Sequence, residues 1–187
     1  MFRWLLLLLL VPSVLYSQTP ENGHEQWEYA LVDSGDVLQL ALPVGALTYS
    51  LLKKDYEGSK DFLLSYGTAM TLTYSLKYIV HKQRPEGRDR YDSFPSGHTC
   101  SAFAGAAFIQ RRYGWKWGKF AYPLAALVGI SRVEGPYGYH DYWDVLAGAV
   151  IGVGSVYLFT KPYEPSQVQV GFTAHRNFKG VSVTWSF

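Results

Sequence analysis

A single cysteine among 187 residues, Cys100, excludes a disulfide framework and any zinc site built from several thiolates. Charge is also scarce. Asp, Glu, Lys and Arg make up 17% of the chain against 48% hydrophobic residues, which excludes an intrinsically disordered protein. Neither sign predominates: 17 Lys and Arg face 15 Asp and Glu, a net charge of +2 without the basic excess of a nucleic-acid binder. The length accommodates one domain and little more. A mean hydropathy of −0.04 is low for a polytopic membrane protein, so the distribution of apolar residues has to decide.

That distribution is uneven. Residues 1–17 carry Arg3, an apolar run with six consecutive leucines and a small residue at Ser17. They read as a signal peptide or an N-terminal anchor, since the run falls short of the roughly 20 residues that a spanning helix needs. Residues 18–36 hold Glu21, Glu25, Glu28, Asp33 and Asp36 without Lys or Arg, and read as an acidic exported segment. Five apolar stretches follow, at 37–52, 62–80, 101–109, 120–130 and 145–159. The first, second and fifth approach spanning length, and the other two do so with short extensions. None alternates strictly, so each reads as a helix. Small residues at 102–107 and the Gly148/Gly152 pair predict close helix packing. Residues 37–162 therefore predict an all-α, membrane-embedded bundle of about five to six helices. In the 163–187 tail, alternation at 168–174 and 181–187 around a turn at 177–180 predicts a small β-hairpin.

Charge in the connections orients the bundle. Lys53, Lys54 and Lys60 fall in one connection, and Arg111, Arg112, Lys116 and Lys119 in another. If the helices alternate, both basic connections lie opposite the acidic 18–36 segment. This is the pattern of a bacterial inner-membrane protein with that segment in the periplasm. The alternative is a periplasmic protein, soluble or peripheral, with unusually apolar helices. The 81–96 connection breaks the pattern by carrying Lys82, Arg84, Arg88 and Arg90 on the outer side, which asks for a functional reason. Of these, Lys82, Arg88 and Arg90 read as solvated loop charges.

Three clusters share that face. Lys77, Arg84 and Pro85 end the second stretch, Pro95-Ser96-Gly97-His98 precedes the third, and Ser131-Arg132 lead through a loop to His140 and Asp144. Lys77, Arg84 and Arg132 can surround a phosphate, for which the planar arginine fork is suited. The Ser96-Gly97 turn feeds a helix N-terminus, a natural anion site. His140 and Asp144 at i and i+4 share a helix face, which makes His140 a nucleophile oriented by a carboxylate. His98 is placed to protonate a leaving group. A metal held by His98, His140 and Asp144 would be repelled by three cations, so no metal and no cofactor is expected. Cys100, among apolar neighbours, reads as a packing residue.

In order and spacing these clusters resemble the signature of the type 2 phosphatidic acid phosphatase superfamily. That superfamily includes membrane lipid phosphatases, bacterial acid phosphatases and vanadium haloperoxidases. The signature reads here as Lys77…Arg84-Pro85, Pro95-Ser96-Gly97-His98 and Ser131-Arg132…His140-Asp-Tyr-Trp-Asp144, and the likeness covers roughly residues 60–160. The resemblance implies a metal-independent phosphatase. His140 would form a phosphohistidine, Asp144 would orient it, and His98 would protonate the leaving oxygen. Lys77, Arg84, Ser96, Gly97 and Arg132 would hold the phosphoryl oxygens. The expected substrate is a phospholipid or polyprenyl phosphate or pyrophosphate, with membrane lipid around the protein and no obligate protein partner. The alternative is an exported acid phosphatase acting on small esters. One departure stands out: seven residues, Val133 to Tyr139, separate Arg132 from His140, where the family usually has five. Gly135, Pro136 and Gly138 suit a loop that bulges without parting its ends.

Overall fold

A computed structural model describes residues 25–85, 88–164, 167–175 and 178–186, and the leader reading of residues 1–17 falls outside them. Five α-helices follow one another: α1 (Gln26–Leu52), α2 (Tyr56–Val80), α3 (Gly97–Tyr113), α4 (Trp115–Val133) and α5 (Tyr142–Phe159). Every apolar stretch lies inside a helix, and every helix outruns its stretch. The largest difference is at α1, which begins within the segment read as an acidic exported arm. Glu25 and Glu28 form a reciprocal capping box there, so acidic residues start the helix and do not delay it. Asp33 and Asp36 consequently ride on α1.

The third helix is the hub, packing against each of the other four. Its small residues permit this: Ala102, Ala104, Ala106 and Ala107 are all fully buried. The α5 backbone approaches closest. A Cβ on Gly148 would stand 2.4 Å from the Ser96 carbonyl oxygen, and one on Gly152 would stand 2.5 Å from that of Cys100. Cys100 is buried in the same seam. Two apolar clusters fill the remaining interior, one around Leu38, Ala125 and Val128, the other around Phe62, Phe108 and Val156.

Much apolar surface stays outside. Leu40, Val44, Leu63, Leu64, Phe120, Leu124, Leu146, Val150 and Leu158 are exposed on the helix flanks, more than a water-facing bundle tolerates. By length and composition, α1 and α5 can each cross a membrane. The helices run alternately up and down. At one end, Asp55 at the start of α2 accepts from both the Nε and an Nη of Arg112 at the end of α3, at 2.7 and 2.6 Å. At the other end gather the start of α3, the ends of α2 and α4 and the start of α5.

Beyond the helices, β1 (Gln167–His175) and β2 (Phe178–Ser186) pair antiparallel with Val170 opposite Val183. The hairpin is as expected, but β2 begins inside the span read as the turn, because Phe178 already pairs with His175. Phe178, an aromatic residue of high β-propensity, belongs to the strand and not to the turn.

Candidate active site

At the end where α2, α3, α4 and α5 meet, a cavity of about 300 Å³ is lined by Arg84, His98, Arg132 and His140, together with Asp36, Arg90 and Tyr139. Four of the eight residues singled out in the sequence thus share one cavity. The other four, Lys77, Ser96, Gly97 and Asp144, stand immediately around it.

His140 is buried, and its backbone N–H donates to the Arg132 carbonyl at 3.1 Å. That single bond closes the seven-residue loop and keeps Arg132 beside His140. Its Nδ1 lies 3.5 Å from Asp144 Oδ2, near enough to be oriented by it yet outside hydrogen-bonding geometry. The Nε2 edge is left for the cavity. Burial lowers the His140 pKa below the ordinary histidine value, against the pull of Asp144, and the charges of Lys77 and Arg84 push the same way. The imidazole is therefore held neutral, the form that can attack phosphorus.

Asp144, fully buried, is held on several sides. Its Oδ1 accepts from Lys82 Nζ at 2.8 Å, and its Oδ2 accepts from Ser93 Oγ at 2.5 Å and from the Asp141 N–H at 3.2 Å. Lys82 also donates to Asp141 Oδ2 at 2.5 Å. Burial opposes the Lys82 charge, but the two aspartates outweigh it and raise its pKa. Lys82 is thus not the solvated loop charge expected from sequence but the counter-ion of the carboxylate beside His140. Nothing in the spacing of Lys82 marked it, because its partner lies 62 residues further on.

Ser96 is the N-cap of α3, and its side chain accepts from the Thr99 N–H, as its position before a helix demands. Its own N–H donates to the Asp144 carbonyl at 2.9 Å, tying the α3 start to the first turn of α5. Lys77 passes beside Gly97 and donates to the carbonyls of Asp92 and Ser93, at 2.5 and 3.4 Å.

Two carboxylates that the sequence did not single out hold the arginines. Asp92 accepts from Arg84 Nε and Nη at 2.8 and 3.1 Å and from Arg90 at 2.9 Å. Burial would raise the Asp92 pKa, but Arg84 and the neighbouring cations lower it, so it stays ionised. On α1, Asp36 Oδ1 lies 2.8 Å from Arg132 Nη1 and 3.2 Å from His98 Nε2. The approach depends on a glycine, since a Cβ on Gly35 would fall 2.0 Å from Ser131 Oγ. Asp36 thereby takes up donors of the kind a phosphoryl group needs. Over the cavity, the Tyr139 ring lies 5.7 Å from the Arg84 guanidinium, 5.5 Å from that of Arg88 and 5.2 Å from that of Arg132. Among the described residues, no cluster of histidine, cysteine and carboxylate side chains is arranged to hold a metal ion.

Cationic donors surround a buried histidine that itself lies beside a buried aspartate, an arrangement with the chemistry to bind a phosphoryl group. Comparison with known proteins agrees: the family model of the PAP2 superfamily matches residues 59–166. The chain belongs to the PAP2 superfamily. It is accordingly a phosphatase, a hydrolase of phosphoric esters, in a helical membrane protein. Among curated PAP2 relatives, it is 34% identical over 166 residues to the lipid A 4'-phosphatase of Helicobacter pylori, covering 82% of this chain and 81% of that one. It is 39% identical over 82 residues to the lipid A 1-phosphatase of Porphyromonas gingivalis, covering 41% of this chain and 17% of that one. In structure it is similar to Aquifex aeolicus LpxE, with a TM-score of 0.62 at 22% identity over 72% of this chain and 86% of that chain, a likeness of fold. The PAP2 match begins after α1, so Asp36 lies outside it, which is why no signature pointed to that residue.

Proposed function

We propose that the protein hydrolyses a phosphate monoester or pyrophosphate of a membrane lipid through a phosphohistidine at His140, without a metal ion, at the periplasmic face of the inner membrane. The observation that carries this reading is His140 itself: buried, held neutral, flanked by Asp144 and facing a cavity lined by Arg84 and Arg132. His140 Nε2 attacks phosphorus as the bond to the leaving oxygen breaks, and His98 gives that oxygen its proton. Water then attacks the phosphohistidine, its proton passes to His98, and inorganic phosphate leaves with His140 restored. Charge developing on the equatorial oxygens is stabilised by Arg84 and Arg132, with Lys77 and the α3 N-terminus at Ser96 and Gly97 adding to the field.

Apolar flanks beside the cavity favour a lipid over a small soluble ester. The names of the lipid A phosphatases among the relatives support the phosphate of a lipid A-type glycolipid as the substrate. The basic connections at the opposite end of the bundle support the periplasmic face.

The test is phosphate release by detergent-purified protein from lipid A, phosphatidate, a polyprenyl pyrophosphate and a soluble aryl phosphate. The expected result is preference for a lipid, full activity in EDTA, and losses of about 10⁴-fold in His140→Ala and about 10²- to 10⁴-fold in His98→Ala. Preference for the soluble ester, or strong inhibition by EDTA, would overturn the reading.

A further inference from the structure

At the end of the bundle opposite the catalytic cavity lies a second one, of about 680 Å³, which the phosphatase reaction does not use. The catalytic end starts α3 at Gly97 and this cavity receives the other end at Tyr113, so the two sites stand about 25 Å apart at 1.5 Å per residue. Four cations line it: Lys53 from the end of α1, Arg111 and Arg112 from the end of α3, and Lys116 from the first turn of α4. No carboxylate is among its described lining residues.

The cations divide into anchors and free donors. Arg112 is buried and spent on structure, pairing with Asp55 and donating to the carbonyls of Lys161 and Pro162 at 3.0 and 3.3 Å. Arg111 uses its Nε on the Thr160 carbonyl at 3.1 Å and lies 5.0 Å from the Tyr157 ring, leaving its terminal nitrogens without a hydrogen-bond partner among the described residues. Lys53 and Lys116 have no ion pair among the described residues, and each stands over an aromatic ring, Tyr49 at 5.8 Å and Trp117 at 5.6 Å. These rings form one wall, with Tyr49 5.7 Å from Trp117 and 4.8 Å from Tyr113. Gly114, which also lines the cavity, is the N-cap of α4 and offers no side chain to it; the Trp117 N–H donates to the Gly114 carbonyl at 3.2 Å, while those of Trp115 and Lys116 have no hydrogen-bond partner among the described residues.

Unspent cations, the two uncapped N–H groups of Trp115 and Lys116 and an amphipathic aromatic wall are the donors that a phosphate would need. Trp115, Trp117 and Phe120 are exposed beside it, in the way aromatic residues mark the depth of lipid headgroups. We infer that this cavity binds the phosphate of an anionic phospholipid headgroup, and so ties the end of the bundle away from the active site to the membrane surface. Basic pockets between helices at the cytoplasmic surface recognise anionic headgroups by this chemistry.

The test is native mass spectrometry of the full-length protein in detergent with added phosphatidylglycerol, phosphatidylcholine or inorganic phosphate. Phosphatidylglycerol adducts are expected on the wild type. They should fall about thirtyfold in Lys53→Gln/Lys116→Gln, the effect of about 1 kcal/mol for each of two surface cations. They should persist in the charge-conserving Lys53→Arg/Lys116→Arg and in Arg84→Gln, and phosphatidylcholine should give none above background. Phosphatase activity of Lys53→Gln/Lys116→Gln within twofold of wild type verifies its fold. Equal binding of phosphatidylcholine, undiminished adducts in Lys53→Gln/Lys116→Gln, or adducts lost only in Arg84→Gln would overturn the inference. Displacement by equimolar inorganic phosphate would make free phosphate the ligand and overturn the assignment to a lipid.

Discussion

His140 and Asp144 are joined by a contact, 3.5 Å, that is longer than a hydrogen bond, while Asp144 is gripped by Lys82 and Ser93. Lys82 neutralises part of the carboxylate charge that would otherwise favour an imidazolium at His140. Because burial lowers the His140 pKa from 6.5, the proposed nucleophile stays unprotonated at neutral pH, and activity should fall only as the pH drops through a value below 6.5. Removing Lys82 should raise that value, because Asp144 then acts on His140 uncompensated. In Lys82→Met the acid limb of kcat/KM should move up by about half to one pH unit, and Lys82→Arg should restore it. An unmoved limb in a folded Lys82→Met protein would make Lys82 a structural residue only. Asp36 presents the opposite case, a carboxylate seated on Arg132 and His98 where an anion must come. In Asp36→Asn, inorganic phosphate should inhibit about tenfold more tightly, the effect of relieving one like charge in the cavity. Weaker inhibition would make Asp36 a support of Arg132 instead. The eight residues proposed for the site stood out because their types and intervals form a signature, and four of them line one cavity. Lys82, Ser93 and Asp36 did not stand out, because what distinguishes them is a partner far along the chain, for Asp36 one lying 96 residues away. Asp92 did not because it pairs with Arg84 and Arg90 inside an irregular loop that has no period to read.

At the scale of elements, the packing of α5 on α3 places His140. Gly148 lets the α5 backbone rest on the Ser96 carbonyl, and the bond from the Ser96 N–H to the Asp144 carbonyl fixes the register of the two helix starts. A side chain at Gly148 meets backbone that cannot yield, so Gly148→Val should destabilise the protein by about 1–3 kcal/mol. It should also lower kcat more than it raises KM, because His140 moves relative to the arginines. A thermal melt with kinetics on the same preparation checks this, and wild-type kcat in the variant would contradict it. Helix existence was legible throughout, since five apolar stretches became five helices. Helix ends were less so: α3 and α4 run to 17 and 19 residues because Ser96 and Gly114 cap them outside the apolar cores. α1 ran furthest past expectation because acidic residues that suggested an exported arm also suit the first turn of a helix.

At the scale of the molecule, the bundle is a membrane protein with a chemically distinct cavity at each end. The catalytic end balances its arginines with Asp36 and Asp92, whereas the opposite end spends one acid, Asp55, on Arg112 and leaves other cations free. That asymmetry was visible as charge in the connections, but not the cavities that the charges line, because a cavity is made by side chains from separate helices. The central claim is that phosphorus passes through His140. Rapid acid-free quenching during turnover of a lipid phosphate, followed by mass spectrometry of the peptide containing His140, tests it most directly. The account predicts one phosphate on His140, removed by mild acid and absent from His140→Ala. Full turnover by His140→Ala, or phosphate on another residue of the wild type, would contradict it.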